Sequence, residues 1–151
     1  MAALDQGMTR MLDLSTDETW VSIKRDTDIV LACQKGRALA AQLGLSVDDQ
    51  VTIVIAISEV ACNITKYAGQ GTIILRPLQG SDKCGLFIIA LDDGPGIPDI
   101  EQALQDGYST GEGLGLGLSG ARRLMDDFEI LSEVGHGTTV RMKKWKKQGQ
   151  E

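Results

Sequence analysis

The chain has 151 residues, 42% apolar and 24% charged, which fits one ordinary globular domain with a sizeable core. Its net charge of −6 excludes a general nucleic-acid binder, which needs a basic face. No apolar run approaches the ~20 residues of a membrane span, no signal-peptide pattern opens the chain, and three scattered cysteines with a lone His136 form no metal or redox motif. The expectation is a cytoplasmic protein with free thiols.

Residues 1–18 have weak periodicity and read as an N-terminal arm, 19–145 as the folded domain and 146–151 as a basic tail. Thr19 to Lys24 alternates in β-type residues and predicts an edge strand. From Thr27, the positions Ile29, Cys33, Gly36, Ala40 and Leu43 step by threes and fours along one helix face, and Gly44 is placed to end that helix. Ser46 opens a second helix, with Asp49 as its capping-box partner. The run V-T-I-V-I-A-I-S-E-V-A-C-N-I-T-K-Y is apolar nearly all round and predicts a buried central helix. Its β-branched residues also fit a strand; length and the capped start decide for helix.

Against that apolar background Glu59, Asn63 and Lys66 share one face, with spacings of four and three residues. Two readings are open: polar groups satisfied by neighbouring backbone, or a stripe facing a metal-phosphate cavity. Burying a carboxylate costs several kcal/mol unless it is paired or faces a cavity, which favours the second.

Gly71 to Leu78 and Cys84 to Asp92 read as two strands joined by a hairpin loop at 79–83, and Pro77 fits only a strand end or edge. Pro98 opens a short helix, Asp99 to Gln105, stopped by Gly107; Gly107 to Gly113 has the composition of a mobile lid. A helix from Leu118 to Met125 follows. Phe128 to Val134 and Thr138 to Met142 then close a hairpin around Gly135-His136-Gly137, which makes His136 a turn residue rather than a catalyst. The cluster K-K-W-K-K reads as a solvated end, with docking on an acidic partner as the second reading. Eight of the 18 glycines lie between Asp92 and Gly120, so this stretch is where backbone must bend sharply or approach a ligand. Gly113, Gly115 and Gly117 precede a helix and offer free N–H groups at the positive end of its dipole, an expected phosphate site.

Gly115 to Gly120 matches G-x-G-x-x-G, but a loop rather than a strand precedes it, so a dinucleotide fold is rejected. No P-loop and no H-R-D or D-F-G set is present. Three motifs remain in order: E-x-x-x-N at Glu59 and Asn63, D-x-G-x-G from Asp92 to Gly96, and G-E-G-L-G-L-G-L from Gly111. With Gly137-Thr138, these resemble the motifs of the GHKL ATPase/kinase superfamily over roughly residues 20–145. The absence of large extra domains narrows the resemblance to the bacterial anti-sigma-factor serine/threonine kinases. Their stressosome switch branch is nearest, and the branch that binds sigma factor directly is the alternative. Ser119 stands where close relatives are expected to carry proline.

The resemblance implies an α+β fold: a two-layer α/β sandwich with a mixed, mostly antiparallel sheet and helices on one face, the Bergerat ATP-binding fold. It implies ATP and Mg2+ as cofactors. Asp92 is expected to accept from the adenine amine, with Asp93 as the alternative acceptor; Gly94 and Gly96 would let backbone pass close to the base, and Thr138 would hold a water. Asn63 would supply an oxygen to Mg2+, Lys66 would offset phosphate charge, and Gly113, Gly115 and Gly117 would donate N–H groups. Glu59 is the expected general base for transfer to a Ser or Thr on a partner. The implied partner is a STAS-domain antagonist or stressosome scaffold, with a PP2C-type phosphatase activator as another. A non-catalytic module that uses ATP only to order itself is the reading of a different class.

Overall fold

Alternating side chains build a five-stranded sheet in the computed structural model, which describes residues 18–105 and 117–147. The strands are β1 (Thr19–Ile23), β2 (Gly71–Gln79), β3 (Cys84–Asp92), β4 (Asp127–Glu133) and β5 (Gly137–Trp145), in the spatial order β1-β2-β3-β5-β4. Every ladder among the described residues is antiparallel, so the expected mostly antiparallel sheet is wholly so here. β1 lies at an edge as expected. Its pairing with β2 ends at Leu75, two residues short of Pro77, so the missing proline N–H breaks no β1 ladder bond.

The helices are α1 (Asp26–Gln42), α2 (Val47–Tyr67), α3 (Ile100–Ala103) and α4 (Gly117–Leu124). The expected boundaries hold within one or two residues, except that α3 is one turn where a longer helix was expected. Asp28 begins α1 by accepting the N–H groups of Lys24 and Arg25 on Oδ2. The helix ends in paired bonds from Gly44 N to Ala41 O and from Leu45 N to Ala40 O, with Gly44 at φ +84°. Ser46 caps α2 by accepting from Asp49 N at 3.1 Å. The other half of the expected box does not form: Asp49 is buried, and its Oδ1 lies 3.5 Å from Lys147 Nζ and 4.0 Å from Lys144 Nζ.

One sheet face takes the helices. Val21, Ile23, Ile73, Leu75, Leu86, Ile88, Val140 and Met142 point into it and meet Ile53, Ile57, Val60 and Ile64 of α2. Each such side chain contributes roughly 1.5–3 kcal/mol on burial, which makes α2 the element the core is built on. The opposite face carries no helix among the described residues and exposes Trp20. No described helix is long and apolar enough to cross a membrane.

The basic cluster at 143–147 departs from the expected solvated end. β5 runs three residues past Met142, and alternation turns Lys144 into the helix layer, where Nζ donates to Leu124 O at 2.9 Å and lies 3.6 Å from Asp126. Trp145 donates its backbone N–H to Asp126 and its indole N–H to Asp127, and Lys83 Nζ lies 4.0 Å from the indole centre. Pairing with β3 and the acids that follow α4 hold this segment in place.

Candidate functional site

α2 is apolar on the sides that meet the sheet and α1, and one stripe faces elsewhere. Glu59, Cys62, Asn63, Lys66 and Tyr67 border a cavity of about 250 Å³. Its far wall is the loop after β3 (Gly96, Ile97, Pro98) together with Asp99, Gln102 and Ala103, and Gly117 and Leu118 of α4 close one end. Three of the residues singled out on α2 and two of the singled-out glycines, Gly96 and Gly117, therefore surround one space.

Glu59 is 4% exposed, and its Oε1 accepts from Gly117 N at 3.0 Å. That N–H belongs to the first turn of α4, whose dipole favours a negative charge there. The buried carboxylate is thus stabilised by a helix start, and its orientation is fixed. Lys66 holds Nζ 5.6 Å from the ring centre of Tyr67.

The D-D-G-P-G loop is fastened on two sides. Asp92 Oδ1 accepts from Gly94 N at 2.9 Å, which turns the chain away from β3. A Cβ on Gly94 would lie 2.5 Å from Cβ of Ala68, so the loop closes against the end of α2 only with glycine there. Gly96 has φ +81° and crosses the β4–β5 turn so closely that a Cβ would lie 2.4 Å from Glu133 O. Gly135 N donates to Pro95 O at 2.8 Å and Ile97 N to Ser132 Oγ at 2.7 Å, which ties loop and turn together. His136 is exposed in that turn, as expected.

Asp92 and Thr138 do not line the α2 cavity. They are cross-strand partners on β3 and β5, and with Asp93, Ser132 and Gly137 they line an open groove at the strand ends. The two spaces are joined by the loop itself, since Ile97 borders the cavity and is bonded to Ser132. Gly113 and Gly115, the lid at 107–113 and the arm at 1–17 lie outside the described residues.

The three cysteines are half-buried thiols outside any disulfide. Burial, and then the neighbouring Cys62, push the Cys33 thiol up to about 11. No group of three or more His, Cys, Asp or Glu that could hold a metal occurs among the described residues. The residues sequence reasoning missed are Ser132, Tyr67 and Gln102. For Ser132 a signal existed: β4 alternates, and Ser132 follows Phe128 and Ile130 on the side that packs inward.

Residues 24–144 match the family model described as the histidine kinase-like ATPase domain. The chain is 49% identical over 129 residues to serine/threonine-protein kinase RsbT of Bacillus subtilis (strain 168), covering 85% of this chain and 97% of that protein. It is 34% identical over 114 residues to an anti-sigma F factor of Caldanaerobacter subterraneus subsp. tengcongensis, and 35% identical over 114 residues to one of Thermoanaerobacter sp. (strain X514). Each of those matches covers 72% of this chain and 78% of the relative. The chain belongs to the histidine kinase-like ATPase domain family.

Proposed function

We propose that this chain is an ATP-dependent serine/threonine protein kinase that acts by switching partners in stress or sigma-factor signalling. It would phosphorylate a Ser or Thr of a STAS-domain protein, and a PP2C-type phosphatase activator is the second partner the reading names. The similarity to RsbT and to anti-sigma F factors supports a protein partner. The observation that carries the chemistry is the arrangement around the cavity. Glu59 and Asn63 lie one turn apart on α2, facing the start of α4 and the glycine loop after β3.

The donor set fits a nucleotide with its cation. Asn63 offers a neutral amide oxygen, a hard ligand that suits Mg2+ when phosphates and water complete the shell. Bound Mg2+ neutralises phosphate charge. Lys66 adds a positive charge at the same wall; the Gly117 N–H, expected on phosphate, is donated to Glu59 instead. Asp92 accepts from the adenine amine with Thr138 beside it, while Gly94 and Gly96, whose open sides meet Ala68 and Glu133, shape the loop that leads from the base. Gly113 and Gly115 complete the phosphate loop. Glu59, anchored through Oε1, is the base that removes the acceptor hydroxyl's proton as the phosphoryl group leaves ATP. The reading carries with it a cytoplasmic location.

One observation favours the non-catalytic alternative. The bond from Gly117 gives Glu59 a structural role whatever its chemistry. Transfer of the γ-phosphoryl group from labelled ATP to STAS domains, followed by mapping of the acceptor, tests the kinase reading. ATP binding without transfer to any of them supports the module.

A further inference from the structure

The sheet face turned away from the helices carries an apolar patch. Alternation sets Trp20, Ile74 and Ile89 side by side across β1, β2 and β3. Phe87 lies in the next row on one side and Leu91 on the other, and Thr139 links Leu91 to Leu131 of β4. Trp20 is 63% exposed and Leu131 48%, so the patch is open at both sheet edges. A contiguous apolar patch rimmed by charge marks a surface that takes a partner.

Three observations point to one occupant, the chain's own residues 1–17. The first is the join. Glu18 accepts from the Trp20 indole N–H and pairs with Arg76, and both partners stand on this face. The arm therefore meets the domain at the rim of the patch. The second is reach. β1 and β4 lie four strand spacings apart, about 19 Å, and residues 1–17 would span about 25 Å even if wound as tightly as an α-helix. The third is composition. The arm offers Leu4, Met8, Met11, Leu12 and Leu14, and methionine adapts to irregular apolar surfaces. It carries three acids to one base, whereas the face sets Arg76, Arg141 and Lys143 against Glu129 and Asp127.

We propose that residues 1–17 dock across the helix-free face of the sheet and seal its apolar patch, with Trp20 as the anchor. The family match begins at residue 24, so the seal belongs to this chain rather than to the shared fold. It stands independently of the nucleotide reading.

Trypsin tests this on the full chain. The arm has one cleavage site, after Arg10, and cutting of a docked segment follows the fraction of time it is undocked. Trp20→Thr keeps a strand-favouring residue and removes the anchor. Cutting after Arg10 should then be about tenfold faster, the least that uncovering one large apolar side chain releases. Leu14→Ser, four residues beyond the cut, should speed it from the arm side. Trp20→Phe loses the Glu18 bond but keeps a ring on the patch, so it should stay near the parent rate. If Trp20→Thr does not fold, Leu131→Thr at the opposite edge gives the same reading. A parent chain cut as fast as a free peptide of residues 1–17 overturns the proposal, as does an unchanged rate in the folded variants. Protection that grows with protein concentration, with a dimer in sedimentation, overturns it in favour of a second copy on this face.

Discussion

Asp92→Asn separates the two duties of one carboxylate. Oδ1 accepts from Gly94 N at 2.9 Å and shapes the loop, and the reading gives the same side chain the adenine amine. The amide keeps a carbonyl oxygen for Gly94, so only the charge assistance of that bond is lost. On the scale of neutral against charged hydrogen bonds this is about 1 kcal/mol. A chain of this size should then melt about 2–4 °C lower and stay folded. At the base, the amide nitrogen opposes donor to donor, and an ionic hydrogen bond of about 1.5–3 kcal/mol disappears. Affinity for ATP should therefore fall about 10- to 100-fold. Titration calorimetry reads the affinity, and a melt on the same sample reads the fold. Unchanged ATP affinity in a folded Asp92→Asn chain would refute the assignment of the base to this strand end.

Two further outcomes concern the scaffold. Lys144→Met removes a cation that is 7% exposed and leaves buried Asp49 with Lys147 alone, so urea unfolding should show a loss of about 2–3 kcal/mol, below the ~3–5 of a charge left with no partner. Adding Asp49→Leu should recover at least half of the loss, and a larger loss in the double variant contradicts the ion-pair account. Burial raises the Cys33 thiol from 9.0 to about 11, so its stabilising contribution is complete below pH 9 and is lost as pH rises through about 11. At pH 8 its thiolate fraction is about 100-fold below that of the unfolded chain, and alkylation followed by mass spectrometry should be slower by that factor. Equal rates in folded and urea-unfolded protein would contradict it.

Local signals were legible because the physics behind them is local. The Ser46 cap and the length of the run to Tyr67 decided for a helix over a strand of β-branched residues, and the helix is the one the core is built on. β3 ends at Asp92, where the sequence led us to end it, which leaves the acid in the groove at the strand ends. The placement of Glu59, Asn63 and Lys66 on one face followed from spacing alone, and they do border one cavity. What spacing could not supply was contact across the chain. The bond from Gly117 to Glu59 joins residues 58 positions apart. The position of Thr138 against Ser132, and of Asp92 in a groove beside the α2 cavity rather than within it, depends on sheet order. The basic cluster was misjudged for the same reason: K-K-W-K-K looks solvated in sequence, and only the pairing of β5 with β3 turns Lys144 inward.

The most direct measurement is the rate of phosphoryl transfer by Glu59→Gln, with ATP affinity determined on the same preparation. Glutamine keeps an oxygen for Gly117 N–H and so keeps the start of α4, while it cannot take a proton. The account predicts nearly parental ATP binding with transfer slowed by ~10²–10⁴, the usual worth of a positioned base. Transfer at the parental rate would contradict it, leaving Glu59 as the cap of α4 and the chain without its proposed base.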